Sequence, residues 1–599
     1  MTRTSKMTHE APAAEKLRRY NLFLLGVAGL GGLLYGVDVG IIGGALPYLE
    51  ATSHLDASRL ATVVAAVLLG SVISTIFAGM LADWMGRKPM MLLSGLVFVI
   101  SIPLIALSHG YATLLLGRLL QGISGGFIGV VVPLYLAECL VSNKRGKGAG
   151  IFQWLLTFGI VAAALIGMYY SYRVRDVSAT GSPALLFQVQ DAAWRHIFWL
   201  SLPPGILFCI GSLFLEESPR WLFRRGETQK AFASLSRSRS TEAAQLEMEE
   251  MLSVAEQSGP RVKATGDLYR RKYVVPFLLA CVILACNTAT GINSIIGYNT
   301  SILLQSGLSD LEAHWGYVIF TAVNFLMTIV GMNLVDRKGR RFLLIVGTSG
   351  IMVSLVATAL LFHSEEKHDL EVGSAVQALV EHSDQLKLSF QAKQAAELLK
   401  ASGYEENTEF ASHASLAIIY SYGGFTGAST YLRSDDAGSV PIEINREQSL
   451  PANRVQAFFA NPFADVNAAR TAPLRIERAR IGRIPDTTHG YAVALALFAF
   501  VAFFAMGPGV CVWLALSELM PTRIRSIGMS VALVLNQLVS TVLAVIFLPV
   551  VSKHGYSFMF LIFAASTAVY FFIAAFLLPE TKGKTLEEVE LYFEGHAQS

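Results

Sequence analysis

Long apolar runs separated by short polar loops dominate the pattern along this chain. A helix that crosses a bilayer needs about 20 mainly apolar residues. Twelve runs qualify: 21–46, 60–82, 89–108, 112–136, 149–171, 194–215, 274–303, 314–335, 341–362, 490–514, 524–551 and 556–578. The first is too long for a secretory signal, lacks a convincing small-residue cleavage site and has eleven more behind it. Two stretches fit no span. Residues 216–273 are charged, with 241–257 patterned as an amphipathic surface helix, and 363–488 form a long polar insert after the ninth run. Apolar clusters around Leu416–Tyr420 and Phe458–Phe463 predict that the insert is partly folded, and 375–401 is patterned for a helix.

The loops carry a directional signal. Lys16, Arg18 and Arg19 precede the first run, and alternate loops hold Arg87/Lys88, Lys144/Arg145/Lys147, Arg337/Lys338/Arg340/Arg341 and Arg523/Arg525. Basic loops stay in the cytoplasm, so both termini are expected there, the protein in a plasma (inner) membrane, and the insert outside. The segments expected are a 1–20 cytoplasmic end, a 21–215 six-helix half, a 216–273 linker, a second half of 274–362 and 489–578 interrupted by 363–488, and a 579–599 tail.

Composition agrees with a membrane protein. Hydrophobic residues make up 53%, charged ones only 15%, and the mean hydropathy is +0.50. A soluble domain carries about 25% charged residues, so an ordinary soluble enzyme is excluded. The net charge of +3 implies no nucleic-acid partner. Cys139, Cys209, Cys281, Cys286 and Cys511 lie in or beside apolar runs without metal-ligand spacing, which supports neither a metal site nor disulfides. No nucleophile–base, phosphate-loop or cofactor motif is present, and the histidines are read as mostly solvated loop residues.

An internal repeat organises the twelve runs. GMLADWMGRK (79–88) is echoed by GMNLVDRKGRR (331–341), and Glu138…Arg145 by Glu518…Arg525. Asp83 and Asp336 are 253 residues apart and the two glutamates 380; the difference, 127, nearly equals the 126-residue insert. Removing the insert therefore restores one offset for both motifs. Two parallel six-helix halves are the architecture of a major-facilitator transporter, in which access to a midplane site alternates. The fold class expected is an all-α membrane protein of twelve transmembrane helices in two pseudo-symmetric bundles.

The motifs GGLLYGVDVGIIGGAL (31–46), GRLLQG (117–122), YLAECLVSNKRGK (135–147), EESPRWL (216–222), GIN (291–293), DRKGRR (336–341), SELMPTRIRSIG (517–528) and PETKGKTLEE (579–588) resemble those of the sugar porter family of that superfamily, over nearly all the chain outside 363–488. The resemblance implies a cytoplasmic charge clamp of Asp83, Arg87, Glu138, Arg145, Glu217, Asp336, Arg340, Glu518, Arg525 and Glu580, with Glu138 paired to Arg525 and Arg145 to Glu518. Position by position it makes Gln153, Asn293, Asn324 and Trp513 sugar ligands, Asn536 a Gln/Asn position and Tyr298 an outer-gate tyrosine. The family's Gln-Gln pair is here Asn287-Thr288, its first gate tyrosine is Gly297, and a position often held by a second glutamine is Ile160. The placement of the insert is similar to that of the large loop in proton–inositol symporters.

Asp38 stands inside a glycine-rich apolar run, where a carboxylate costs about 2.5–3.5 kcal/mol on insertion scales and marks a functional site. Arg118 is its candidate partner. Burial favours the neutral acid and the guanidinium favours the carboxylate, so the pair is suited to binding and releasing a proton. Proton-coupled sugar porters carry Asp at this position, and passive ones generally a neutral residue. A neutral polyhydroxylated solute needs groups that donate and accept, plus aromatic faces. Gln153, Asn287, Thr288, Asn293, Asn324 and Asn536, with Tyr35 and Trp513, supply them. The expected function is import of a sugar or polyol (hexose, pentose or inositol) with a proton, by a monomer in a lipid bilayer, without cofactor or metal. The alternatives are a passive uniporter and a non-transporting sugar sensor.

Overall fold

The computed structural model describes residues 4–580 except 54, 141, 179–181, 258–270, 381–384, 406–407, 436–440, 452–456, 458–460, 462–463 and 521–524. For 4–14, 142–149, 250, 254–257, 271–272, 336, 448, 513–518, 525–527 and 530 only the backbone is described. Arg145, Asp336, Trp513, Glu518 and Arg525, with most of the Phe458–Phe463 cluster, therefore lie outside the described side chains.

Twelve helices are long and apolar enough to cross a membrane: span 1 Glu15–Thr52, span 2 Ala57–Met85, span 3 Arg87–Ala106, span 4 Tyr111–Cys139, span 5 Gly150–Ser178, span 6 Pro183–Leu213, span 7 Tyr273–Gly297, span 8 Asp310–Val335, span 9 Arg340–Glu366, span 10 Thr487–Val512, span 11 Val531–His554 and span 12 Tyr556–Leu577. Span 6 starts well before the 194 expected from hydropathy. Its first helix, Pro183–Trp199, carries Gln188, Gln190 and Asp191, polar residues that hide a helix running past the hydrocarbon. Span 7 is broken at Gly291, whose φ of +85° is left-handed backbone that suits glycine, and a short helix, Ile292–Gly297, resumes from there. Thr241–Gln257 forms a helix as its pattern predicts.

The described apolar core divides unevenly between the two ends. At the end bearing the insert, one buried cluster runs through both halves, from Val37, Ile41 and Leu60 to Ile295, Tyr317, Leu497 and Phe563. At the opposite end each half has its own, one around Leu24, Met90 and Leu136, the other around Leu284, Leu344 and Tyr570. The halves are joined at one end and separately packed at the other.

The insert is an α/β unit, not the single helix expected over 375–401. That stretch holds two helices, Gly373–Ala378 and Ala392–Ala401, with a strand between them. Among the described residues seven strands form: β1 Leu370–Glu371, β2 Leu386–Leu388, β3 Ala414–Tyr422, β4 Phe425–Ala428, β5 Leu432–Arg433, β6 Ile442–Ile444 and β7 Leu474–Arg483. An antiparallel sheet runs β1-β7-β3-β4, with β5 also on β3, and β2 pairs with β6. In β7 the buried positions Leu474 and Ile476 alternate with exposed ones, then slip by one to Ala479 and Ile481. A bulge at Glu477 of β7, opposite Ile419 and Tyr420 of β3, absorbs that slip.

Candidate functional site

Span 1 places Asp38 1% exposed between the halves, and neither carboxylate oxygen has a hydrogen-bond partner. Span 4 approaches closely because position 125 is glycine; a Cβ there would lie 2.7 Å from Asp38 Oδ2 and 3.2 Å from the Tyr35 ring. Arg118, seven residues earlier on span 4, is equally buried. Its Nη1 donates to Gln121 Oε1 at 2.6 Å, and its guanidinium lies 5.5 Å from the Phe198 ring centre. The structure thus brings Asp38 and Arg118 into one buried region without a direct bond. Gln121, which holds the arginine, was not singled out from the sequence although it stands in GRLLQG one helical turn after it.

The second half supplies the amides. Asn293 Nδ2 donates to Ser540 Oγ at 2.7 Å, and Thr288 Oγ1 to the Asn536 carbonyl at 3.3 Å, joining spans 7 and 11. Asn287 Oδ1 is buried without a partner. Gln537 Nε2 donates across the interface between halves to Tyr35 Oη at 3.5 Å, one turn from Asp38. This glutamine was also missed: adjacent residues on a helix point about 100° apart, and hydropathy does not say which of Asn536 and Gln537 faces span 1. Gln153 is half-buried and Asn324 buried; their neighbours Trp154 and Phe325 make a ring contact across the halves at 5.5 Å. Tyr298 is fully buried, stacks on Phe547 at 4.4 Å and donates to the Ala544 carbonyl at 3.1 Å.

Beyond these residues, towards the insert, a polar latch ties the halves together. The Asp310 carboxylate at the start of span 8 accepts from Tyr48 Oη at 2.9 Å and Ser171 Oγ at 2.5 Å. Tyr317 Oη donates to the Gly40 carbonyl at 2.7 Å, and Thr300 Oγ1 donates to that of Gly43. His314 is fully buried on span 8, an exception to the reading of the histidines as mostly solvated loop residues. Its Nδ1 lies 2.8 Å from the Asp310 carbonyl and its Nε2 3.1 Å from the Gly44 carbonyl. One of these carbonyls can accept from a neutral ring and both from a protonated one; the Asp310 carboxylate lies 3.4 Å away.

At the opposite end, Arg87 is buried and binds Glu138 (Nε–Oε2 2.8 Å) and Asp83 (2.9 Å). Glu138 also takes Arg224 at 3.2 Å and Ser218 Oγ at 2.5 Å. The partners described for it belong to the first half and the linker; the expected Glu138–Arg525 pairing lies outside the described side chains. Glu217 accepts from the Arg87 backbone N–H at 2.9 Å and caps the start of span 3. Burial raises its carboxyl above the usual range, against the lowering effect of these backbone N–H groups and of the Arg87 charge. Glu580 does the same in the second half, accepting from Arg340 N at 3.1 Å and Arg341 N at 3.2 Å at the start of span 9. The internal repeat extends to the atoms that cap its helices.

Comparison with known proteins fits this geometry. The family model "Sugar (and other) transporter" matches residues 24–380 and 479–593. The human "Proton myo-inositol cotransporter" is 27% identical over 571 residues, covering 94% of this chain and 80% of that protein. The "Glucose transporter GlcP" of Staphylococcus epidermidis is 31% identical over 354 residues, covering 58% and 72%. Among solved structures, the xylose transporter XylE from E. coli in a partially occluded inward open conformation superposes with a TM-score of 0.62 at 19% identity, covering 95% of this chain and all of that one. These relatives are transporters, not enzymes. The chain is an integral membrane protein of the major facilitator fold and belongs to the sugar (and other) transporter family, as a sugar porter.

Proposed function

We propose that the protein imports a neutral sugar or polyol together with a proton, with its basic loops and both termini in the cytoplasm and the insert outside. The observation that carries this reading is Asp38: buried between the halves, bonded to nothing, electrostatically coupled to Arg118 and one turn from Tyr35. An ionised carboxylate in such a place is costly unless partnered, whereas a protonated one can wait for substrate and water. Gln153, Asn287, Thr288, Asn293, Asn324, Trp513 and Asn536 supply the amide, hydroxyl and aromatic surface that a polyhydroxylated solute needs. The human inositol cotransporter supports the coupling and the polyol class by its name. The shared apolar core at the insert end supports a state closed to the outside, with Tyr298 and the Asp310 latch as the outer gate.

One proton moving down about 100 mV supplies about 2.3 kcal/mol, enough for roughly a fortyfold solute gradient at about 1.4 kcal/mol per tenfold. The test is uptake into proteoliposomes under an imposed pH gradient, against a panel of pentoses, hexoses and inositols. At least one should accumulate, and a protonophore should abolish the accumulation. Asp38→Asn should lose uphill uptake and keep exchange. Proton-driven accumulation undiminished in that variant would overturn the reading.

A further inference from the structure

We propose that the insert roofs a second ligand site, an outer chamber that holds a neutral polyol of monosaccharide size directly above the closed gate. A cavity of about 490 Å³ lies between the insert and the ends of spans 1, 2, 5, 6 and 8. That volume falls within the range of about 300–1,000 Å³ typical of small-molecule sites. None of Tyr35, Asp38, Asn293 or Asn536 lines it. Its floor is the latch itself, Tyr48 bonded to Asp310, so it is closed off from the midplane residues.

The roof is fixed in place. Arg433 Nη1 donates to the Leu304 carbonyl at 2.7 Å, Ser552 Oγ to the Ser429 carbonyl at 3.3 Å and Tyr431 Oη to the Val551 carbonyl at 3.4 Å. Two side chains in the wall lack partners. Gln190 Oε1 and Ser301 Oγ are buried, each residue 7% exposed, and neither makes a hydrogen bond. Buried polar atoms are nearly always satisfied by protein, water or ligand, and these two, on span 6 and on the short helix Asn299–Gln305 that follows span 7, line the same cavity.

The charges in the wall point to a neutral occupant. Arg433 is forked onto Asp435 at 2.9 and 2.8 Å, Glu443 takes Lys387 at 2.5 Å, Arg175 pairs with Asp176 at 3.1 Å, and Asp56 caps span 2 through the Arg59 N–H. Asp310 is held in the latch, and Glu50 and Arg59 remain with opposite signs. What is left to a ligand is an amide, hydroxyls and the rings of Tyr48 and Tyr431, which suits a ring bearing several hydroxyls. The inference rests on the sugar or polyol reading of the transported solute and adds to it a waiting position outside the gate.

The test uses the full chain with Thr430→Cys, which places a thiol in the chamber wall. Alkylation of that cysteine is followed in the Asn293→Ala background, so that midplane binding does not contribute. Myo-inositol, glucose and xylose are the probes, and inorganic phosphate is the charged control. At ten times its dissociation constant a chamber ligand should slow alkylation about tenfold by occupancy alone. One neutral probe should protect in this way and phosphate should not. Protection should be lost in Gln190→Leu and in Ser301→Ala, each checked for an unchanged elution profile and unfolding midpoint. A probe that is taken up by the parent protein yet gives no protection overturns the chamber and leaves the transport reading standing. Protection by phosphate overturns its neutral character. Failure of every probe both to protect and to be taken up overturns the substrate class and the chamber together.

Discussion

The Asp310 latch, outer in the proposed orientation, makes the most direct prediction about the transport cycle. Asp310 belongs to the second half, and its two side-chain donors, Tyr48 and Ser171, to the first. The bonds therefore exist only while the halves are together at this end. A hydrogen bond to a charged group contributes about 1.5–3 kcal/mol. Tyr48→Phe keeps the ring, which stacks on His314 at 5.4 Å, and removes only the donor. The closed-to-open ratio at the outer end should then fall by roughly 10- to 150-fold, at about 1.4 kcal/mol per tenfold. Tyr317→Phe removes a bond to a neutral carbonyl, contributes about 0.5–1.5 kcal/mol and should shift the ratio by no more than about tenfold. Spin labels on the exposed residues Asp176 of span 5 and Lys367 after span 9 report the separation of the halves. Tyr48→Phe should add a longer distance, raise the apparent affinity for external substrate and slow turnover. In an Asp310→Ala background it should add little, because its acceptor is gone. Distance distributions that superpose on the parent protein's in Tyr48→Phe and Ser171→Ala alike would refute the latch.

Two further perturbations have signs set by the structure. Glu138→Ala strips the buried Arg87 guanidinium of its main partner and should cost about 3–5 kcal/mol, seen as a lower unfolding midpoint of the purified protein; an unchanged midpoint would mean that the pair is dispensable. In the insert, burial and then the nearby Glu366 charge push the Asp369 carboxyl up to about 6, with Arg480 opposing. An unfolded aspartate titrates near 3.9, so between these values the folded chain holds a proton that the unfolded one has lost. Stability of the insert should therefore be greatest below about pH 4, fall through about pH 6 and level off above. Asp369→Asn should abolish that slope in pH-dependent unfolding, and a slope that survives the substitution would place its source elsewhere.

The spans and their pairing were legible because each needs a long apolar run and because duplicated motifs keep a constant offset. The insert was not, since its strands are short and mixed in composition. The period-two pattern Leu474-Arg-Ile-Glu in β7 was available, but the slip at the bulge breaks it after four residues. At the site, the residue types were readable and the facing was not. Gln537 sits beside Asn536, which was named, and only packing decides which of the two meets the other half; Gln121 stands one turn after the named Arg118, and only the side-chain bond between them marks it. His314 was unreadable for a different reason: nothing local marks it, because its partners Gly44 and Asp310 are 270 residues away on span 1 and four residues back on its own helix.

The unequal cores give alternating access a physical form. The end bearing the insert, the outer one in the proposed orientation, is sealed by a single apolar core reinforced by a few short-range bonds, whereas the opposite end carries charged clusters packed within each half. In this state Glu138 is already saturated by Arg87, Arg224 and Ser218. Any bond from Glu138 to the second half must compete with these partners, and we propose that the Glu138–Arg525 pair implied by the family motifs, whose arginine side chain lies outside those described, forms in the opposite state. Arg224 is half exposed and its contribution is screened, while Arg87 is buried and is not. The cycle thus exchanges an apolar seal, which salt leaves largely intact, for a charged one at a wetter end, which salt weakens. Raising ionic strength should accordingly enrich the outer-closed state over its counterpart, and spin-label distances that move the other way would place the balance of forces elsewhere.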